Sequence, residues 1–147
     1  MTGFVSVLLN FCVEPEMLVC TQVYVMRTIL VAEDRDSSRE LARTILEHSG
    51  YAVLEAANGL DAVRVARDHF PDLILLDLQM PVKDGFDVLH ELRADERFRR
   101  TPIVALTASA MMGDKDKALM EGFTAYLTKP LSLSAVRTEI ARLFDQV

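Results

Sequence analysis

The stretch "LILLDLQMPVKDG", residues 73–85, decides the reading of this chain. Four apolar residues, Leu73, Ile74, Leu75 and Leu76, run directly into Asp77. Gln79, Pro81 and an Asp-Gly pair follow within the next eight residues. An unbroken apolar run of this length suits a strand covered on both faces, as in a parallel sheet. A bare carboxylate at the end of such a strand is costly. It must lie at an edge, be neutralised, or be used.

The sequence on either side alternates strand and helix. "TILVA" (28–32) is a β-branched apolar run. In "DSSRELARTILEHSG", Asp36 is placed as an N-cap and Gly50 as the helix stop, with Leu41, Ile45 and Leu46 as the buried stripe. "AVLEA" (52–56) reads as a short strand. Residues 59–70 read as a helix with Ala62, Val63 and Ala66 on one face, ended by Pro71. Residues 84–94 form a helix that directs Phe86, Leu89 and Leu92 inward, and "PIVALT" (102–107) forms a fourth strand. A helix over 112–120 closes at Gly122, "AYLT" (125–128) is the fifth strand, and Ser132 caps a last helix. Val136, Ile140, Leu143 and Phe144 share one face of that helix. Five strands alternating with five helices predict an α/β fold, a doubly wound sandwich with right-handed crossovers.

Composition narrows the function classes. The chain has 147 residues, 50% hydrophobic and 26% charged, with a formal net charge of −6. This fits a packed domain and lacks the basic stripe that supplies nucleic-acid affinity. Arg93, Arg97, Arg99 and Arg100 cluster, but Asp95 and Glu96 interrupt them, as on a solvated helix end and loop. Cys12 and Cys20 have no CxxC spacing and no histidine cluster nearby, which argues against a disulfide framework or a zinc site. His48, His69 and His90 are isolated from one another and read as helix-surface or satisfied partly buried residues, not catalytic ones.

Residues 1–25 differ from the rest and are taken as an N-terminal extension to a main domain at 26–147. They contain no Lys or Arg, and their only acids are Glu14 and Glu16. The apolar run from Phe4 to Phe11 is too short for a membrane span and lacks the basic flank of a secretory signal. With Val19 to Val25 it forms a β-rich or short amphipathic segment. Three origins stay open: an upstream start, a packing or dimerising element, and a membrane-surface anchor.

In an open parallel sheet, sites form beyond the carboxyl ends of the strands. Here those ends carry Glu33-Asp34, Asp77, Thr107-Ala108 and Lys129-Pro130. Three acids in one place repel unless a cation intervenes. Hard oxygen ligands suit Mg²⁺, with Mn²⁺ as the alternative. Asp77 is then a nucleophile towards phosphorus, forming an acyl phosphate. Lys129 pairs with a phosphoryl oxygen as a point charge, and the Thr107 hydroxyl donates to another. Each residue alone has an ordinary reading as a turn former, a dipole-compensating acid or a surface lysine. It is their combination, in order, at four strand ends that points to phosphoryl chemistry.

The stretches "ILVAEDRDSSR", "PDLILLDLQMPVKDG", "PIVALTASA" and "AYLTKP" resemble the receiver domain of bacterial two-component response regulators, from about Arg27 to the end of the chain. The resemblance implies a flavodoxin-like fold with strand order 2-1-3-4-5. It implies reversible phosphorylation of Asp77 by a histidine kinase or a histidine phosphotransfer protein. It makes Asp34 a direct Mg²⁺ ligand, Glu33 a ligand through water, and the Gln79 backbone carbonyl a further ligand. It makes Thr107 and Lys129 the switch hydroxyl and the phosphate-pairing lysine, Tyr126 the switch aromatic, and Lys129-Pro130 a cis peptide. Gln79, Ala108 and Ser109 lie where the family tunes dephosphorylation. Helix four, strand five and helix five, roughly residues 109–144, would carry the response to a downstream protein partner or to a second copy in a homodimer.

No linker or helix-turn-helix pattern follows the last helix, so the chain is expected to act in the cytoplasm by protein contact, unless it is a module of a longer protein. It is not expected to bind nucleic acid, to span a membrane, or to be an enzyme beyond its own phosphotransfer and dephosphorylation. Three other classes share parts of the pattern. A small-molecule phosphatase would want a second Asp where Gln79 stands. A flavin or nucleotide binder would want a glycine-rich loop in place of "AEDRDSS". A phosphorylation-independent scaffold would have no use for Asp77, Thr107 and Lys129 together.

Overall fold

The computed structural model describes residues 5–12, 18–108 and 112–145, and the side chains of residues 26–108 and 115–145. The elements are β1 (Val5–Cys12), β2 (Leu18–Val25), β3 (Thr28–Ala32), α1 (Asp36–His48), β4 (Ala52–Ala56), α2 (Gly59–His69), β5 (Leu73–Asp77), α3 (Gly85–Arg93), β6 (Ile103–Thr107), α4 (Met112–Glu121), β7 (Ala125–Thr128) and α5 (Leu133–Asp145). β3 to β7 form one parallel sheet in the order β4-β3-β5-β6-β7. Counted from β3, this is the expected 2-1-3-4-5. β1 and β2 pair antiparallel in a separate two-stranded sheet, from Val5↔Val25 to Cys12↔Leu18. The β-rich reading of the extension therefore holds for its backbone, while the expectations for the Cys12 and Cys20 side chains lie outside the described residues.

The sheet is buried on both faces, which explains the apolar runs. Successive residues of a strand point to opposite sides. Leu30, Ala32, Ile74, Leu76, Ile103 and Ala105 meet α2, α3 and α4 through Ala62, Ala66, Val88, Leu89, Leu92 and Ala118. Ile29, Val31, Leu73, Leu75, Val104 and Leu106 meet α1 and α5 through Ile45, Leu46, Val136, Ile140, Leu143 and Phe144. No helix among the described residues is long and apolar enough to cross a membrane.

Local details correct four expectations. Asp36 is not the N-cap of α1. The cap position falls on Arg35, whose amide donates to Glu33 Oε1 at 3.2 Å, and Asp36 instead pairs with Arg39 at 2.6 Å. The buried stripe of α1 is Ala42, Ile45 and Leu46, while Leu41 is 45% exposed. The helix stop is as expected: Gly50 (φ 94) donates to Glu47 O, and Tyr51 donates back to Leu46 O, closing a Schellman motif. In α3, Val88 joins Leu89 and Leu92 in the core, and Phe86 is only partly buried. Arg93 is not a solvated helix-end residue. Its half-buried guanidinium donates to Phe98 O (2.8 Å), Thr101 O (2.9 Å) and Gly122 O (3.2 Å), tying α3 to the loop before β6 and to the end of α4. Arg97, Arg99 and Arg100 are exposed, as expected.

Candidate functional site

Asp77 is the last residue of β5, in the middle of the sheet, with β3 on one side and β6 on the other. β3 runs on into Glu33, whose amide donates to Ala56 O of β4. The strands therefore deliver Glu33, Asp77 and Thr107 side by side at the carboxyl edge. All three are buried polar residues, exposed by 1%, 5% and 8%. Asp34, the next residue after Glu33, turns outward and is exposed. Carboxylate oxygens of Glu33, Asp34 and Asp77 lie within 4.8 Å of one another.

Lys129 completes the group from the end of β7. Its backbone amide donates to Thr107 O at 2.7 Å, which fixes the loop against β6. Its ammonium donates to Asp77 Oδ2 at 2.9 Å and to Glu33 Oε2. The Lys129-Pro130 peptide is cis, as expected. The other oxygen of Asp77, Oδ1, accepts the Gln79 amide at 3.1 Å. Tyr126 lies on β7 two residues before Thr128, the register partner of Thr107. Its ring is partly buried against the core on the α4 side, with the Lys115 ammonium 5.0 Å from its centroid. Ala108 is exposed on the rim of the site, and Ser109 lies outside the described residues.

Charge at the floor of the site is unbalanced. Three carboxylates against one ammonium leave two negative charges. Burial pushes the Glu33 carboxyl above its ordinary range; the neighbouring Asp77 pushes it further, and the bond from Lys129 only partly opposes this. For Lys129, burial acts downward, but the bonds to Glu33 and Asp77 outweigh it and hold the ammonium above its ordinary range. A compact dication would neutralise the deficit, and the donor set of hard carboxylate oxygens, with the Gln79 backbone nearby, fits Mg²⁺.

The structure also shows residues that the sequence reading passed over. Gly85, at the start of α3, lies so close to the end of β5 that an added Cβ would sit 2.5 Å from Asp77 O and 2.8 Å from Leu78 Cα. Its amide donates to Leu78 O. The Asp-Gly pair was the signal: Asp84 caps α3 by accepting the Asp87 amide at 2.9 Å, and Gly85 lets the helix approach the strand end. Arg35 and Lys117 line the same cavity of about 650 Å³ as Asp34, Asp77, Thr107 and Lys129. Their sequence positions carried no such signal, because neither ends a strand.

The family model described as the response regulator receiver domain matches residues 29–141. The polar-differentiation response regulator DivK of Brucella ovis is 39% identical over 107 residues, which is 73% of this chain and 87% of the relative. The receiver domain of a sensor histidine kinase from Pseudomonas aeruginosa, solved with a magnesium ion coordinated in its active site cleft, is 36% identical with a TM-score of 0.76; the match covers 82% of this chain and 99% of that one. The chemotaxis protein CheY4 of Vibrio cholerae is 29% identical with a TM-score of 0.77, covering 81% of this chain and 99% of its own. The order of strands, the acids at their ends and this match across most of its length together make the chain a member of the response regulator receiver domain family.

Proposed function

We propose that this protein is a switch set by phosphorylation of Asp77. Receiver domains are signalling modules that interact with histidine kinases and downstream effectors, and they bind Mg²⁺ at an acidic pocket. The observation that carries the reading is the Asp77 carboxylate itself. It is buried at a central strand end, held by Lys129 and the Gln79 amide, and open to a cavity shared with Thr107 and two further acids.

In the proposed reaction, an Asp77 oxygen attacks the phosphorus of a phosphohistidine on a kinase or phosphotransfer protein. The P–O bond forms as the P–N bond breaks, and the imidazole leaves with the electron pair and takes up a proton. Glu33, Asp34, Asp77 and the Gln79 carbonyl would hold Mg²⁺, which supplies charge neutralisation at the phosphoryl oxygens. Lys129 keeps its place beside Asp77 and pairs with a phosphoryl oxygen. The Thr107 hydroxyl turns to another, and Tyr126 follows inward. The α4-β7-α5 face then presents a different packing to a protein partner. Later attack by water on the phosphorus breaks its bond to the Asp77 oxygen, releases inorganic phosphate and returns Asp77 to a carboxylate, so the only chemistry is on the protein itself.

The test is intact mass after incubation with acetyl phosphate, with and without Mg²⁺, for wild type and Asp77→Asn. A single Mg²⁺-dependent phosphoryl adduct on wild type and none on the variant is expected. An adduct that persists in Asp77→Asn, or wild type that stays unmodified with both acetyl phosphate and a cognate kinase, would overturn the reading.

A further inference from the structure

Lys117 stands at the rim of the Asp77 cavity, on the second turn of α4. No ion pair holds it among the described residues. Its ammonium rests 4.9 Å from the centroid of the Phe86 ring instead. Phe86 lies in the first turn of α3, lines the same cavity, and is braced edge-on by Phe123 at 5.8 Å. Side chains on a helix lean towards its N-terminus. The stem of Lys117 therefore leans up α4, towards the pole of the molecule where Asp77 ends its strand.

A cation over an exposed aromatic face is weakly held. A phosphoryl group on Asp77 would bring about two negative charges into the cavity. An ammonium gains more from a charge-assisted hydrogen bond to phosphate than from the ring it leaves. Lys129 and a dication act from the floor of the site, whereas Lys117 comes from the side wall.

Building on the assignment of Asp77 as the phosphoacceptor, we infer that Lys117 is a second phosphate-binding lysine, parked on Phe86 in the unmodified protein, that moves onto the phosphoryl group during transfer and ties α4 directly to it. This gives α4 a link to the phosphate that does not pass through Thr107 or Tyr126. It also gives the incoming donor a cation to meet on the open side of the cavity.

The experiment compares wild type, Lys117→Met and Lys117→Arg with acetyl phosphate and Mg²⁺. In each transfer the bond from phosphorus to the acetyl oxygen breaks and acetate leaves. Met keeps the packing of the stem on Phe86 and removes only the charge. The expected result is an unchanged Tm, an adduct rate constant about five- to ten-fold lower in Lys117→Met, and recovery of most of the rate in Lys117→Arg. On adduct formation, amide exchange over residues 115–121 should slow in wild type and not in Lys117→Met. A Met variant within about two-fold of wild type in rate and unchanged in α4 exchange would sink this inference while leaving Asp77 in place. An Arg variant as slow as Met would also sink it, because charge would not be the cause. Wild type that forms no adduct with acetyl phosphate or with a cognate kinase would remove the Asp77 reading and this inference with it.

Discussion

Glu33 is almost wholly buried beside a second carboxylate, and its carboxyl is raised above its ordinary value of 4.5 by burial, then by Asp77. A raised carboxyl binds its proton more tightly in the folded state than in the unfolded one. Its contribution to stability is therefore greatest below pH 4.5 and falls as pH rises through the raised value. Lys129 acts in a different window: its contribution is full below its ordinary 10.5 and is lost only as pH rises through its own raised value. Above that raised value the ionised Glu33 is a net cost in the metal-free protein. Glu33→Gln should raise the Tm of the metal-free form above that raised value and flatten its decline as pH rises from 4.5, while weakening the stabilisation by added Mg²⁺. Thermal melts across pH, with and without Mg²⁺, check both; a variant less stable than wild type without metal would refute the sign. At this scale the sequence was most informative where chemistry is scarce. Asp77, Thr107 and Lys129 stood out because a buried strand rarely ends in a charge. Lys117 and Arg35 did not, because a lysine on a helix and an arginine in a loop are ordinary until the fold brings them to one cavity.

Among the elements, the start of α3 sets the position of the proposed nucleophile. Its first residue, Gly85, touches the backbone of Asp77 and Leu78 so closely that a methyl group must push one of them aside. Gly85→Ala should destabilise by about 1–3 kcal/mol, the usual range for overpacking. It should also slow adduct formation on Asp77, because the atoms displaced are those of its own peptide. The N-cap of α2 provides the control. Asn58 accepts the Asp61 amide at 2.8 Å, far along the chain from Asp77, and Asn58→Ala should cost about 1 kcal/mol with no change in adduct rate. Denaturant melts and the mass assay separate the two; equal rates for Gly85→Ala and wild type would refute the positioning role. Element boundaries were legible to within a residue or two, but the phase of α1 was not. Leu41-Ile45-Leu46 and Ala42-Ile45-Leu46 both follow helical spacing. The sheet decides between them, and it takes the small Ala42, leaving Leu41 in a hollow with Pro130 and Leu131. Asp36 failed as a cap because the helix starts one residue earlier, at the Arg35 cap position, which puts Asp36 inside the first turn, where it pairs with Arg39.

Across the molecule, the five-stranded sheet and its helices form one hydrogen-bonded unit, and the β1-β2 hairpin forms its own two-stranded sheet. No ladder joins the two among the described residues. A chain beginning at Met26 should therefore keep the Tm of the main transition and the adduct rate of the full chain. A lower Tm or slower rate in the shortened chain would mean that residues 1–25 support the domain. The alternation of apolar runs and amphipathic helices made the parallel sheet and its layers readable in advance, because each strand must be covered on both sides. The register of the hairpin was not readable, since its strands carry mixed residues and no turn signal that fixes a pairing.

One ammonium, on Lys129, spans the ends of two strands by bonding Glu33 and Asp77 at once. Anything attached to Asp77 must compete with Glu33 for it. Modification at one strand end would thus be felt as a loss at its neighbour. The edge of the sheet behaves as a pair of scales, with a single counterweight whose position records which pan is loaded.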